Sequence, residues 1–134
     1  MKNKYLLSLL WVIVSGFGIL MAQEIAIIPQ PAHLIVKNES FKFGKQLKVC
    51  IASYRGDSVT LVFDSFKDDF QKATGIKVTS VRSEAKAGIV LSVNQTLAPE
   101  AYKLDVSPKQ IRIEAARPAG FYYALQTLKQ LISR

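Results

Sequence analysis

The sequence predicts an α+β two-layer sandwich: a mostly antiparallel sheet of five to seven strands with two helices packed on one face. Three observations carry this. Residues 102–114 alternate apolar and polar side chains on either side of a short turn, the period-two pattern of a hairpin with one buried face. Two stretches, 58–74 and 118–132, repeat apolar residues at three- and four-residue spacing, as amphipathic helices do. The remaining apolar runs are short and bounded by Gly, Asn and Pro, which is the length and punctuation of strands.

In chain order, Gln23 to Pro31 reads as an extended opening segment, because Pro29 and Pro31 forbid a helix and suit an open or edge strand. Leu34 to Lys37, Phe41 to Phe43 and Leu47 to Ala52 read as short strands, divided at Asn38 and Gly44. A helix follows from Ser58 to Thr74. Val59, Val62, Phe63, Phe66 and Phe70 mark its buried face, and Asp64, Lys67, Asp68 and Lys72 its wet one. Asp57 or Ser58 suits the N-cap, and Gly75 suits the position past the helix end where φ turns positive.

Ile76 to Val81 is expected as a strand, Ser83 to Gly88 as a polar loop and Ile89 to Val93 as a buried strand. In the hairpin, Tyr102, Leu104 and Val106 alternate with Lys103 and Asp105, and Ile111 and Ile113 with Arg112 and Glu114. Ser107-Pro108-Lys109-Gln110 is turn chemistry: proline presets φ, and serine bonds the backbone ahead of it. Arg117-Pro118-Ala119-Gly120 ends the strand, and Pro118 suits a first helical turn, where its missing N–H has no intrahelical partner to lose. Phe121, Leu125, Leu128 and Ile132 form the stripe of the last helix, while Tyr122, Ala124 and Leu131 widen it. A helix apolar over more than half its circumference expects neighbours on two sides. One of Tyr122 and Tyr123 is expected to face the core and the other to cover a partner.

The strings EAYKLDV (100–106), IRIEA (111–115) and GFYYALQTLKQL (120–131) together resemble the end of the small N-terminal domain of family 20 glycoside hydrolases, the β-N-acetylhexosaminidases. Ile28-Pro29-Gln30-Pro31 resembles the I-I-P-x-P opening of that domain, and Ile89 to Val93 stands where its central strand precedes the hairpin. The resemblance runs from about Ile25 to Arg134, with Gly120-x-Tyr122-Tyr123-x-x-Gln126-Thr127-Leu128-x-Gln130-Leu131 its most specific part. Family 84 hexosaminidases carry a related domain. The resemblance implies that catalysis belongs to a separate (β/α)₈ barrel. There an Asp-Glu pair acts: the acid protonates the glycosidic oxygen, and the aspartate orients the substrate's own 2-acetamido group for attack. This chain has no Asp-Glu dipeptide and is far too short for a barrel of about 250 residues, so no family catalytic residue carries over.

Residues 1–22 read as an export signal. Lys2 and Lys4 precede an almost unbroken apolar run from Tyr5 to Leu20, and Ala22 offers a small residue for cleavage before Gln23. Leu20 stands where a small residue is preferred, and an uncleaved anchor is the alternative, since about eighteen apolar residues can span a bilayer. The expectation is an exported protein, periplasmic or secreted, with no stable membrane anchor after cleavage. Residues 23–134 then have the size of one domain. A content of 49% apolar and 21% charged residues excludes disorder. The net charge of +8 comes from cations scattered over strands and turns without a run, which points to solubility and not to nucleic acid.

Candidate chemistry is sparse. Asp64, Asp68 and Asp69 form the carboxylate cluster of the chain, and their lysine neighbours mark a solvated helix face. His33 is the single histidine and lacks the Cys/His/Asp spacing of a metal site. Cys50 is alone, so no internal disulfide forms, and in a strand-like run it acts as a small hydrophobe. Asn38-Glu39-Ser40 and Asn94-Gln95-Thr96 match the glycosylation pattern, which an export signal of bacterial type leaves unused. Tyr122-Tyr123 suggests a sugar platform or a protein contact. No catalytic, cofactor-binding or metal site is therefore expected.

The reading that follows is a non-catalytic domain, a fragment or truncated product, of an exported β-N-acetylhexosaminidase. It is inactive alone and supports a barrel expected in cis but absent from these residues. No nucleic-acid or glycan contact is expected of it. The alternatives are a free-standing exported glycan- or protein-binding module, a membrane-tethered structural protein, or the related family 84 domain.

Overall fold

The computed structural model describes residues 33, 35, 37, 39–52 and 57–132. The export signal, the opening segment to Pro31 and the sequon asparagine Asn38 lie outside the described residues. The elements run β1 (Gln46–Ala52), α1 (Asp57–Thr74), β2 (Lys77–Ser80), β3 (Ile89–Val93), β4 (Tyr102–Val106), β5 (Ile111–Ala115) and α2 (Pro118–Ile132). A 3-10 turn at Glu84–Lys86 lies in the expected polar loop.

Among the described residues the sheet has five strands in the order β2-β1-β3-β5-β4. It is mostly parallel, not mostly antiparallel: β1 pairs in parallel with β2 and β3, and β3 with β5, leaving β4–β5 as the antiparallel pair. The physical reason lies in β3. Its residues Ile89, Val90 and Leu91 are buried consecutively and not alternately, which is how a strand covered on both faces reads. It slots between β1 and β5, so the hairpin's local pairing does not extend to its neighbours. Residues 41–43, expected as a strand, form none. Instead Phe41 and Phe43 pack edge to face at 5.0 Å, and Phe43 lies 5.5 Å from Phe70 of α1. Of the strand expected over 34–37, Ile35 and Lys37 carry no strand pairing and the alternate residues lie outside the described set.

Both helices cover one face. Val59, Phe63, Phe66 and Phe70 of α1 and Phe121, Ala124, Leu125 and Leu128 of α2 form one core with Leu47, Val49, Val78, Ile89, Leu91, Ile111 and Ile113. Burial of an aliphatic or aromatic side chain of this kind contributes about 1.5–3 kcal/mol. Helix α1 begins at Asp57, one residue before the start expected from sequence. At its other end Gly75 has φ +70° and its N–H donates to Gln71 O at 2.9 Å, the left-handed termination its sequence position predicts.

The other face is narrower but not bare. Cys50 and Val90 are buried there, with Ala87 of the loop 81–88 packed against them. That loop is tied down by Gln110 Nε2, which donates to the carbonyls of Glu84 and Ala87 at 2.9 and 3.0 Å, and by Arg112, 3.4 Å from Glu84. Elsewhere on this face the β4–β5 register sets Lys103 opposite Glu114 and Asp105 opposite Arg112, a favourable cross-strand arrangement. The hairpin closes as the turn chemistry predicts, with Ser107 Oγ donating to Gln110 O at 2.7 Å.

Helix α2 lies unusually close to the sheet at Gly120. A Cβ there would sit 2.5 Å from the backbone carbonyl oxygen of Ala101 and 2.9 Å from Ala115 Cβ. Gly120→Ala is therefore expected to destabilise the domain by about 1–3 kcal/mol, the usual cost of overpacking. Gly44→Ala, whose Cβ would meet nothing nearer than 3.9 Å, is expected to be silent. Urea unfolding midpoints of the two variants check this pair.

Candidate functional site

Each helix follows one of the parallel strands and packs back over the sheet, so α1 and α2 run side by side in the same direction. Lys129 Nζ bridges them, donating to Asp69 Oδ2 at 2.7 Å. This bond, reinforced by charge, holds the Asp69 carboxyl below its ordinary range. Two turns back from Asp69 stands Leu61, and two turns back from Lys129 stands Tyr122. Leu61 is 68% exposed, Tyr122 48% and Tyr123 40%.

Both tyrosines thus face outward, against the expectation that one would enter the core. Helical spacing explains it: with the stripe centred on Leu128, both fall in the arc shared with Gln126, Lys129 and Gln130. Leu131 and Ile132 are partly buried and Thr127 is buried, its hydroxyl 2.7 Å from the Tyr102 hydroxyl of β4. The outer surface of α2 is consequently aromatic and amide-rich, with its described lysine occupied by Asp69. That of α1 is an ordinary wet face, where Asp64, Asp68 and Lys72 are exposed around Leu61. The two tyrosine rings lie 5.7 Å apart at 69°, edge to face, and offer no flat platform for a sugar ring.

The sequence-predicted candidates do not converge. Asp64 and Asp68 stay exposed on α1, and Asp69 is engaged by Lys129. His33 is exposed at the far edge of the domain, beside β4. Cys50 is buried on the opposite sheet face, its thiol donating to Arg82 O at 3.6 Å, and burial with the nearby Glu84 charge pushes its pKa up, away from a reactive thiolate. Asn94 is locked in a turn: Nδ2 donates to Glu114 at 2.8 Å, while Oδ1 accepts from the Thr96 N–H and hydroxyl. Among the described residues no three His, Cys, Asp or Glu side chains come together to hold a metal.

One concave feature was not anticipated from sequence. A groove of about 920 Å³ runs along the outer edge of β4 beneath the C-terminal half of α2. Phe41, Leu104, Val106, Leu128 and Ile132 give it an apolar floor, and Lys37 and Asp105 meet at its rim, 2.9 Å apart. Those two residues are 68 positions apart, so no local pattern could reveal the pair.

Fold and surface together define a small α+β packing module, with a covered sheet and an outward aromatic helix face but no converging acid–base pair among the described residues. The sequence model of glycosyl hydrolase family 20, domain 2, matches residues 24–134. A beta-hexosaminidase of Vibrio furnissii is 28% identical over 111 residues, which is 83% of this chain and 17% of that protein. Among solved structures, the GH20 exo beta-N-acetylglucosaminidase of Vibrio harveyi shares 34% identity at a TM-score of 0.67, over 77% of this chain and 15% of its own. The N-acetyl-beta-hexosaminidase of Streptomyces plicatus shares 27% at a TM-score of 0.67, over 78% and 21%. The chain belongs to glycosyl hydrolase family 20, as its domain 2. It spans only about a sixth to a fifth of the length of these relatives.

The Asp69–Lys129 bridge has a pH signature. A carboxyl whose pKa is lowered by folding adds stability above its unfolded pKa and loses it as pH falls through the folded value. Asp69→Asn is therefore expected to be less stable than the unaltered chain at neutral pH, with the difference shrinking towards zero below the carboxylate range. Urea midpoints at neutral and acid pH measure it.

Proposed function

We propose that this chain is the non-catalytic accessory domain of an exported β-N-acetylhexosaminidase, and that its outer helix face docks onto a glycoside-hydrolysing barrel. The observation that carries the reading is the family 20 domain 2 match across 24–134, in a chain that spans 15–21% of the structurally solved relatives named above. Those relatives are a beta-N-acetylglucosaminidase and a beta-hexosaminidase by name, and most of their length lies outside the shared domain.

The surface chemistry supports the docking role. Tyr122 and Tyr123 present large, stiff, amphipathic area on α2, and aromatic residues with a polar tip favour interfaces. The face is suited to binding a solid protein surface because its described lysine is held by Asp69 and does not compete for water. Export is supported by Lys2 and Lys4 ahead of the apolar run and by Ala22 after it. The chemistry of glycoside cleavage falls to the barrel; these residues contribute rigidity and orientation.

A chimera tests this reading. Residues 24–134 replace the matching domain of the Vibrio harveyi enzyme, and release of chromophore from a chromogenic N-acetylglucosaminide is followed. The chain alone is expected to give no turnover and the chimera to give turnover. Joint replacement of Tyr122 and Tyr123 by aspartate is expected to lower the chimera's melting temperature by several degrees and to leave that of the chain alone nearly unchanged. Turnover by the purified chain, or an unaffected chimera, contradicts the proposal.

A further inference from the structure

An open sheet edge offers a row of backbone donors and acceptors to any extended chain that meets it. Among the described residues β2 stands at one end of the sheet and pairs only with β1. It is short, four residues, and Lys77 is exposed on it; both features blunt an edge. A third feature is more specific.

Which groups face outward follows from the β1–β2 ladder. Val81 N–H donates to Val49 O at 2.8 Å, so residue 81 turns its backbone towards β1. In a parallel ladder the backbone groups of successive residues turn to opposite sides. Residue 79 therefore also faces β1, and the N–H groups of Ile76, Val78 and Ser80 face away from it. Side chains from the last turn of α1 reach two of these three. Gln71 Oε1 accepts from Val78 N–H at 2.7 Å, and Thr74 Oγ1 accepts from Ile76 N–H at 3.2 Å. The Thr74 hydroxyl is itself held, donating to Phe70 O at 2.7 Å. The helix end is already closed by Gly75 N–H on the Gln71 carbonyl, and the Val78 side chain is 3% exposed in the core. The Gln71 amide adds something else: an oxygen where the carbonyl of a further strand would stand.

We propose that Gln71 is an edge guard, which occupies the strand-acceptor place on Val78 and thereby keeps β2 of a second copy of this chain from adding to the sheet. A second copy is the partner that the geometry favours. Val78 turns both its N–H and its C=O outward, so two β2 edges set antiparallel about Val78 would exchange both bonds. Such a contact is self-complementary, as a twofold dimer requires. The inference is independent of whether the outer face of α2 docks, because it concerns the other helix and the β2 end of the sheet.

Amide hydrogen exchange and sedimentation velocity test it in the full chain, each variant set against the unaltered chain at the same concentration. Val78 N–H is expected to exchange slowly in the unaltered chain despite its place at the rim. Gln71→Met keeps the length and helix propensity of the side chain and removes the amide oxygen. It is expected to speed Val78 exchange about tenfold in dilute solution, the scale of one lost hydrogen bond. As concentration rises, exchange slows again and sedimentation shifts towards a dimer. Gln71→Glu keeps an acceptor at the same reach and is expected to match the unaltered chain in both measurements. Unchanged Val78 exchange in Gln71→Met shows that the amide does not protect the edge, and overturns the proposal. Faster exchange with no gain in association at any concentration makes Gln71 a plain anchor of α1, and overturns it as well. Should Gln71→Met fail to fold, Gln71→Asn, whose amide stops one methylene short, is read in the same way.

Discussion

Strand β3 must be dry on both faces, and the rest of the domain is arranged to keep it so. Ile89, Val90 and Leu91 are at most 1% exposed, although a strand turns successive side chains to opposite sides. One side needs a full layer, which α1 and α2 supply through Phe63, Phe66, Phe121 and Leu125. The other needs less, and the loop 81–88 supplies it, held down by Gln110 and Arg112 over Val90 and Cys50. Parallel neighbours on both flanks follow, because a strand buried on both faces sits at the centre of a sheet and not at its edge.

The position of α2 derives from that centre. Gly120 lets the helix start almost in contact with Ala101 and Ala115, and the Tyr102–Thr127 hydroxyl pair fixes its rotation one and a half to two turns later. Buried hydroxyls need partners, so this pair favours one rotation over its neighbours. With rotation fixed, Phe121, Leu125 and Leu128 enter the core, and Tyr122 and Tyr123 are left outside. The aromatic outer face is thus a consequence of how the inner face is seated. The Asp69–Lys129 bridge then fixes α1 alongside.

Much of this was legible in the sequence, and the part that was not has a physical reason. The helix over 57–74, its phenylalanine face and the positive φ at Gly75 follow from local spacing and local sterics. The hairpin and its Ser107 turn follow from alternation and turn chemistry. Strand order does not, because β3 meets β1 and β5 across long stretches of chain. The unbroken run Ile89-Val90-Leu91 marks burial on both faces, which goes with parallel pairing, whereas the antiparallel pattern is local to the hairpin. The orientation of Tyr122 and Tyr123 was readable from helical angles. The Lys37–Asp105 pair and the groove were not, since they join residues with no shared periodicity. For the site, sequence supplied the scattered carboxylates, the single histidine and the buried cysteine; only geometry showed where each one lies.

The central claim is that the outer face of α2 is made to be covered by a larger neighbour. Hydroxyl-radical footprinting read by mass spectrometry measures this at Tyr122 and Tyr123 directly. The account predicts ready oxidation of both rings in the chain alone and strong protection once the same residues are joined to a family 20 barrel. Equal oxidation in the two forms would show that the face meets only water, and would contradict it.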